Sequence, residues 1–237
     1  MPEMYTFKSK VRYSETDSSG RLSLTALLNY YQDCVTFHSA DAGLPLEELF
    51  KDNMAWVLMS WHIEIARMPR LGECIEVCTN PYRIGGFTGL RNFWMTGEDG
   101  EQLNIADSTW ALLDTRTGRP THVRPDFADA YGLGERVELG WRSKPVRIGA
   151  DAEVLPGSIE VQSGMLDMNM HMNNAWYAHL AAERLPEGYA YSRLSIEYKQ
   201  PAKLGDMLTV AREQDEDGVT IALMLADKPC ALVRFAR

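Results

Sequence analysis

Hydrophobic and polar positions follow two rhythms along this chain, and the pair of rhythms occurs twice. From residue 24 onward apolar side chains recur at helical spacing, Leu24, Leu27, Leu28, Tyr31 and Val35, with Ser23 or Thr25 placed to cap the first turn and Gly43 to stop the last. His38 continues that stripe, and a lone histidine on an apolar face is expected to be a satisfied core residue rather than a ligand. The rhythm then becomes β-type over 74–83, 87–96 and 101–114, broken by Gly85-Gly86 and Glu98-Asp99-Gly100 and closed by Asp114-Thr115-Arg116-Thr117-Gly118. Turns this short join antiparallel neighbours, because a parallel crossover needs an intervening helix. A more compact second round follows: a helix from about Asn174 to Arg184, then strands near 192–200, 206–214, 219–225 and 230–236, with Asp215-Glu216-Asp217-Gly218 as a hairpin turn. One helix followed by four or five antiparallel strands, twice over, predicts an α+β architecture with each helix lying on its sheet.

The repetition is visible residue by residue. Ile63–Val77 lies over Ile196–Val210 without a gap, and both read strand, basic/Pro turn, Leu-Gly-acid turn, strand. Upstream, Val11–Asp17 lies over Val161–Asp167, each copy running into a helical pattern. A duplicated unit accounts for both matches. The expected boundaries are 1–127 for the first unit, 128–157 for a Gly- and charge-rich linker, and 158–237 for the second.

Composition narrows the function. A chain of 237 residues, 45% apolar and 24% charged, can bury one large core or two small ones. A net charge of −9 argues against nucleic acid as partner. No apolar run approaches the ~20 residues of a membrane span, and Met1-Pro2-Glu3-Met4-Tyr5 lacks a basic-then-apolar signal layout. The expectation is a cytoplasmic protein without a membrane partner. Cys34, Cys74, Cys78 and Cys230 are scattered and lack companions at ligand spacing, so buried free thiols are expected, with no metal and no cofactor.

The chemistry concentrates in Asp167-Met168-Asn169-Met170-His171-Met172-Asn173-Asn174, where polar side chains alternate with methionines just before the second helix. Period two predicts an extended segment with Asp167, Asn169 and His171 on one side and Met168, Met170 and Met172 packed behind. A carboxylate, an amide and an imidazole sharing one side, ahead of a helix N-terminus, suit attack of water on a carbonyl. The plainer alternative is a polar turn capping the helix through Asn173 or Asn174.

That run, with Trp176-Tyr177 after it, resembles the active-site segment of acyl-acyl carrier protein thioesterases, and the helix–sheet duplication resembles a tandem (double) hotdog fold. Ala55-Trp56-Val57-Leu58-Met59, His62-Ile63-Glu64-Ile65, Ser108–Asp114 and Ile196-Glu197-Tyr198-Lys199 fall where the family has similar stretches. The resemblance implies hydrolysis of a fatty acyl thioester to free acid and carrier thiol, with acyl carrier protein as the substrate's carrier. It implies catalytic roles for Asp167, Asn169 and His171, oxyanion binding at the helix start by Asn173 and Asn174, and tunnel walls at Trp56, Val57 and Met59. The choice between Asp167 and His171 as base stays open. In plant members a Glu-Cys pair follows the Glu-Tyr-basic strand; here Pro201 and Ala202 take those places, so water is the expected nucleophile. The first unit keeps Asp17 but has Gly20-Arg21 where the second has Met170-His171, which implies one active site per chain, in a monomer of two units or a homodimer. Arg142, Lys144, Arg147, Lys199 and Lys203 are candidate contacts for an acidic carrier. An acyl-coenzyme A thioesterase and a noncatalytic acyl-thioester sensor are the competing classes.

Overall fold

A computed structural model of the chain describes residues 4–141 and 144–237; Arg142 lies outside the described residues. The chain divides into two compact units, Met1–Gly140 and Trp141–Arg237.

The first unit is built on α1 (Leu24–Asp41). Ser23 adopts an extended backbone, and its hydroxyl accepts the Ala26 N–H at 3.2 Å, satisfying one of the donors that a helix start leaves open. Leu24, Leu27, Leu28, Tyr31, Cys34 and His38 form the buried face, at the spacing that places successive turns on one side. Leu27 and Tyr31 are fully buried, each contributing about 1.5–3 kcal/mol of transfer free energy. Tyr31 packs on Trp61 and Phe93, with ring centroids 5.6 and 5.1 Å away, and its hydroxyl donates to Asn104. The sheet beneath comprises β1 (Tyr5–Lys10), β2 (Met54–Ile65), β3 (Cys74–Gly85), β4 (Thr88–Gly97) and β5 (Gln102–Asp114), in the order β1-β3-β4-β5-β2 and antiparallel throughout. A two-residue strand β6 (Arg119–Pro120) pairs with β5. Gly86 at φ 61° and Gly100 at φ 83° make the two turns of the β3–β4–β5 meander, in backbone conformations that side chains disfavour. Two short helices, α2 (Leu46–Lys51) and α3 (Pro125–Tyr131), escape the sequence pattern because six or seven residues hold too few turns to show a period. Leu49, Phe127 and Tyr131 from them pack with Leu44 and Leu112.

The second unit repeats the plan in fewer residues. Its sheet order is β8-β11-β10-β9-β7, again antiparallel, from β7 (Glu153–Glu160), β8 (Arg193–Tyr198), β9 (Met207–Gln214), β10 (Gly218–Leu225) and β11 (Lys228–Ala236). Its helix α4 (Asn174–Ala182) has nine residues against 18 in α1, and it rests on β10 and β11 through Ala175, Tyr177, Ala178, Leu180 and Ala181. Residues 128–157 run from the end of α3 into the start of β7. Their first part is pinned to the first unit by Gly134 N–H on the Pro81 carbonyl and Val137 N–H on Asn92 Oδ1. Their later part is pinned to the second unit by Val146 N–H on Glu197 and Gly149 N–H on Glu213.

Candidate functional site

The Asp167–Asn174 run is a closed turn, not the extended segment its alternation predicts. Asp167 Oδ1 accepts the Asn169 N–H at 2.8 Å and the His171 N–H at 3.2 Å, while the Asp167 N–H returns to the His171 carbonyl at 2.8 Å. One carboxylate oxygen thus gathers two backbone donors, and Met170 is driven to φ 60°. The pleat that would have put the methionines behind the polar groups is lost. Met168 and Met170 are 71% and 63% exposed, and only Met172, at 2%, is buried.

The first unit repeats the backbone hydrogen bonds of this turn, and there the Ser19 hydroxyl also donates to Asp17 Oδ1 at 2.7 Å. Asp17 Oδ1 accepts the Ser19 N–H at 2.8 Å and the Arg21 N–H at 3.2 Å, and the Asp17 N–H returns to the Arg21 carbonyl at 2.8 Å. Gly20, at φ 72°, occupies the place of Met170. Each turn docks on its own Leu-Gly-acid loop: Leu22 N–H on the Pro69 carbonyl, Met172 N–H on that of Ala202, both at 2.8 Å. A carboxylate doing identical work in both copies is first of all a backbone clasp. What separates the copies is Met168 for Ser18, Asn169 for Ser19, Met170 for Gly20 and His171 for Arg21.

Among the predicted site residues, Asp167 and Asn169 meet through side chains, Asn169 Nδ2 lying 3.5 Å from Asp167 Oδ2. His171 is joined to Asp167 only through its backbone N–H and carbonyl; among the described residues its half-buried ring makes no hydrogen bond. Asn173 is the helix cap, its Oδ1 accepting the Ala175 N–H at 2.9 Å while its own N–H donates to the Met165 carbonyl. The Trp176 N–H goes to the Asn173 carbonyl, which leaves the Asn174 N–H as the first-turn donor without an acceptor among the described residues. Two tyrosines to which the sequence analysis gives no role of their own hold this helix start in place. Tyr198 donates to the Asn174 carbonyl at 3.0 Å, and Tyr177 accepts the Ala202 N–H at 2.8 Å. Burial raises the pKa of both phenols, so they act as neutral hydrogen-bonding groups.

No thiol competes for the nucleophile's role in this turn. Cys34, Cys78 and Cys230 are buried, and that burial raises their pKa, to about 12 for Cys78 and about 11 for Cys230. Cys74 is exposed, at the start of β3 in the other unit. Lys199 is engaged by Glu197, and Lys203 bridges His171 through the backbone. Lys144 and Arg147 line a cleft shared by basic Arg193 and Arg234 and acidic Glu213 and Asp215. Among the described residues no cluster of metal-ligating side chains is present, and no helix is long and apolar enough to cross a membrane.

The first unit holds a cavity of about 50 Å³, partly open to solvent, between α1, α3 and the sheet. Trp56 lines it with Val35, Leu46, Ile84 and Trp110, whereas Val57 and Met59 are exposed outside it. Gly89 admits the Trp56 ring, because a Cβ there would stand 3.3 Å from Cη2. Arg91, unforeseen from sequence, also lines the cavity. The signal was present: along β4, Arg91 is in phase with buried Gly89, Phe93 and Met95, so a cation alternates with the inward-facing side chains.

Residues 2–131 match the family model of the acyl-ACP thioesterase N-terminal domain, and 149–228 that of its C-terminal domain. The chain is 25% identical to the chloroplastic dodecanoyl-acyl-carrier-protein hydrolase of Cinnamomum camphora over 91% of its own length and 62% of the relative's. It spans about half to three-fifths of the length of the curated plant relatives it matches. An acyl-ACP thioesterase from Bacteroides thetaiotaomicron superposes with a TM-score of 0.89 at 21% identity, covering 98% of this chain and 97% of that one. The 12:0-ACP thioesterase from Umbellularia californica gives 0.85 at 20% identity, covering 98% and 96%. Both share the tandem hotdog fold with this chain, and the two family matches together take in the Asp17 turn and the Asp167 turn. The chain therefore belongs to the acyl-ACP thioesterase family.

Proposed function

We propose that this chain hydrolyses fatty acyl thioesters of acyl carrier protein, releasing the free acid and the carrier thiol. The observation that carries the reading is the contrast between the twin turns: one clasp, built twice, presents an imidazole in the second unit and a guanidinium in the first. Only the imidazole can exchange a proton near neutral pH.

In this mechanism His171 takes a proton from water as the water oxygen attacks the thioester carbonyl. Asn169 positions the water, and the Asn174 N–H at the start of α4 receives the developing oxyanion, where the helix dipole favours negative charge. The carbonyl re-forms as the C–S bond breaks, and the departing sulfur recovers the proton from His171. A thiol's pKa of about 8.5 makes that departure easy without a strong acid. Asp167 is assigned the positioning role, since its Oδ1 is already shared by two N–H groups. We assign the acyl tail to the apolar cavity that Trp56 and Trp110 line. Lys203, next to the His171 turn, and Lys144 and Arg147 are assigned to carrier docking. Four free thiols, three of them buried, support action in a reducing compartment such as the cytoplasm.

The deciding experiment supplies a ladder of acyl-carrier-protein thioesters and measures both free thiol and released fatty acid. His171→Ala should lower kcat by roughly 10²-fold or more. Failure of the unmodified chain to release thiol from any of them refutes the reading. Equal rates on free coenzyme A thioesters transfer it to the coenzyme A class.

A further inference from the structure

Arg91 is the charged group the proposed mechanism leaves unused. Only 5% of it is exposed. Its Nη1 donates to His38 Nδ1 at 2.7 Å and to Thr79 Oγ1 at 3.3 Å, and its guanidinium carbon lies 5.1 Å from the Tyr131 ring centroid. All three partners are neutral, for burial and the adjacent guanidinium hold the His38 pKa down to about 4. Among the described residues no carboxylate comes within ion-pair distance of Arg91, and Nε and Nη2 have no acceptor. Burial lowers its pKa to about 10, which still leaves it charged at neutral pH. Buried cations are ordinarily paired, because desolvation without a counter-charge is costly. The open edge here is the Nε/Nη2 fork, whose two parallel donors match the two oxygens of a carboxylate. Arg91 lines a cavity together with Val35, Leu46, Trp56, Ile84 and Trp110 and with the polar side chains of Gln32, Thr36 and Ser39.

We propose that this cavity is a binding site for an aliphatic carboxylate, whose oxygens sit on Nε and Nη2 of Arg91 and whose hydrocarbon chain lies along Trp56, Ile84 and Trp110. Two sources share that chemistry: the far carboxylate of a diacid acyl group, or a free fatty acid entering carboxylate first. The diacid case rests on the hydrolase reading above; the fatty-acid case stands without it.

The test titrates the intact chain with octanoate and with methyl octanoate, following the emission of Trp56 and Trp110. Octanoate should bind about tenfold or more tightly than its uncharged ester, the usual worth of a charge-assisted hydrogen bond. Arg91→Met should bring the two to parity, while His171→Ala leaves the preference intact. Equal binding of acid and ester by the unmodified chain overturns the proposal whether or not the arginine variant folds. A second arm compares hydrolysis of carrier-protein thioesters of one length ending in methyl or in carboxylate. A higher kcat/KM for the carboxylate end identifies the diacid chain. Octanoate preference without that advantage assigns the site to free fatty acid, acting as a product inhibitor. Octanoate preference with no turnover of any thioester sinks the hydrolase reading and upholds the carboxylate site.

Discussion

Replacing Asp167 by alanine removes the acceptor on which the His171 turn closes, and the first unit supplies the control for what that costs. In each unit one carboxylate oxygen holds two N–H groups, at 2.8 and 3.2 Å. Hydrogen bonds to a charged group are worth about 1.5–3 kcal/mol each when shielded. Asp17 is exposed and Asp167 half-buried, so water competes for both and the discounted loss is about 1–2 kcal/mol per turn. Asp17→Ala and Asp167→Ala should therefore destabilise by similar amounts in urea unfolding. Their activities should part company. Asp167→Ala frees His171 and Asn169 from their fixed backbone and should lower kcat roughly 10²-fold or more, whereas Asp17→Ala, whose turn presents Arg21, should turn over close to the unmodified rate. The assay is thiol release from an acyl-carrier-protein thioester, corrected for the folded fraction. Wild-type-like turnover in Asp167→Ala refutes the reasoning, as does an equal loss in both variants.

Three further outcomes follow from named contacts. His38 titrates at about 4 when folded, against 6.5 as an ordinary imidazole, so its contribution is present above pH 6.5 and is lost as pH falls toward 4; between about pH 7.5 and about pH 5 that is about 2 kcal/mol, a loss that His38→Asn should lack, and parallel stability curves for the two proteins would contradict it. Gly89→Leu would crowd Trp56 from a Cβ only 3.3 Å away, so the fatty acids released should shift toward shorter chains, as read by gas chromatography; an unchanged profile would remove the acyl tail from that cavity. Met170→Gly should raise stability by about 1 kcal/mol, since φ 60° is strained for methionine and natural for the Gly20 of the twin turn; a lower unfolding midpoint would mean that the methionine side chain makes a compensating contact.

Local rules carried much of this protein. The α1 stripe, its Ser23 cap and its Gly43 stop are short-range consequences of residue type and spacing, and the structure keeps them. The strands beginning at Cys74, Thr88 and Gln102 fall within a residue of their expected starts, because glycine-bearing turns punctuate them. The duplication was legible for the same reason: Leu71-Gly72-Glu73 and Leu204-Gly205-Asp206 are turn-forming strings that need no tertiary context. The candidate site segment could be singled out in the same way, since an acid, an amide and a histidine at fixed spacing are written in the chain.

Its shape was not. Period two in Asp167–Met172 suggested a strand, and a competing local interaction won, the carboxylate collecting two N–H groups before any neighbouring strand could pair with them. The roles within the site were likewise hidden: that Asp167 is clasped, that Asn173 spends its own N–H on Met165, and that Tyr177 and Tyr198 hold the start of α4 all depend on groups brought together from separate elements. The cavity is the plainest case. Val35, Trp56, Arg91, Trp110 and Tyr131 come from five elements, and nothing in their separate neighbourhoods marks them as one wall. Periodicity says which face of each element turns inward; only packing several such faces against one another decides where they leave a gap and which charge is stranded beside it.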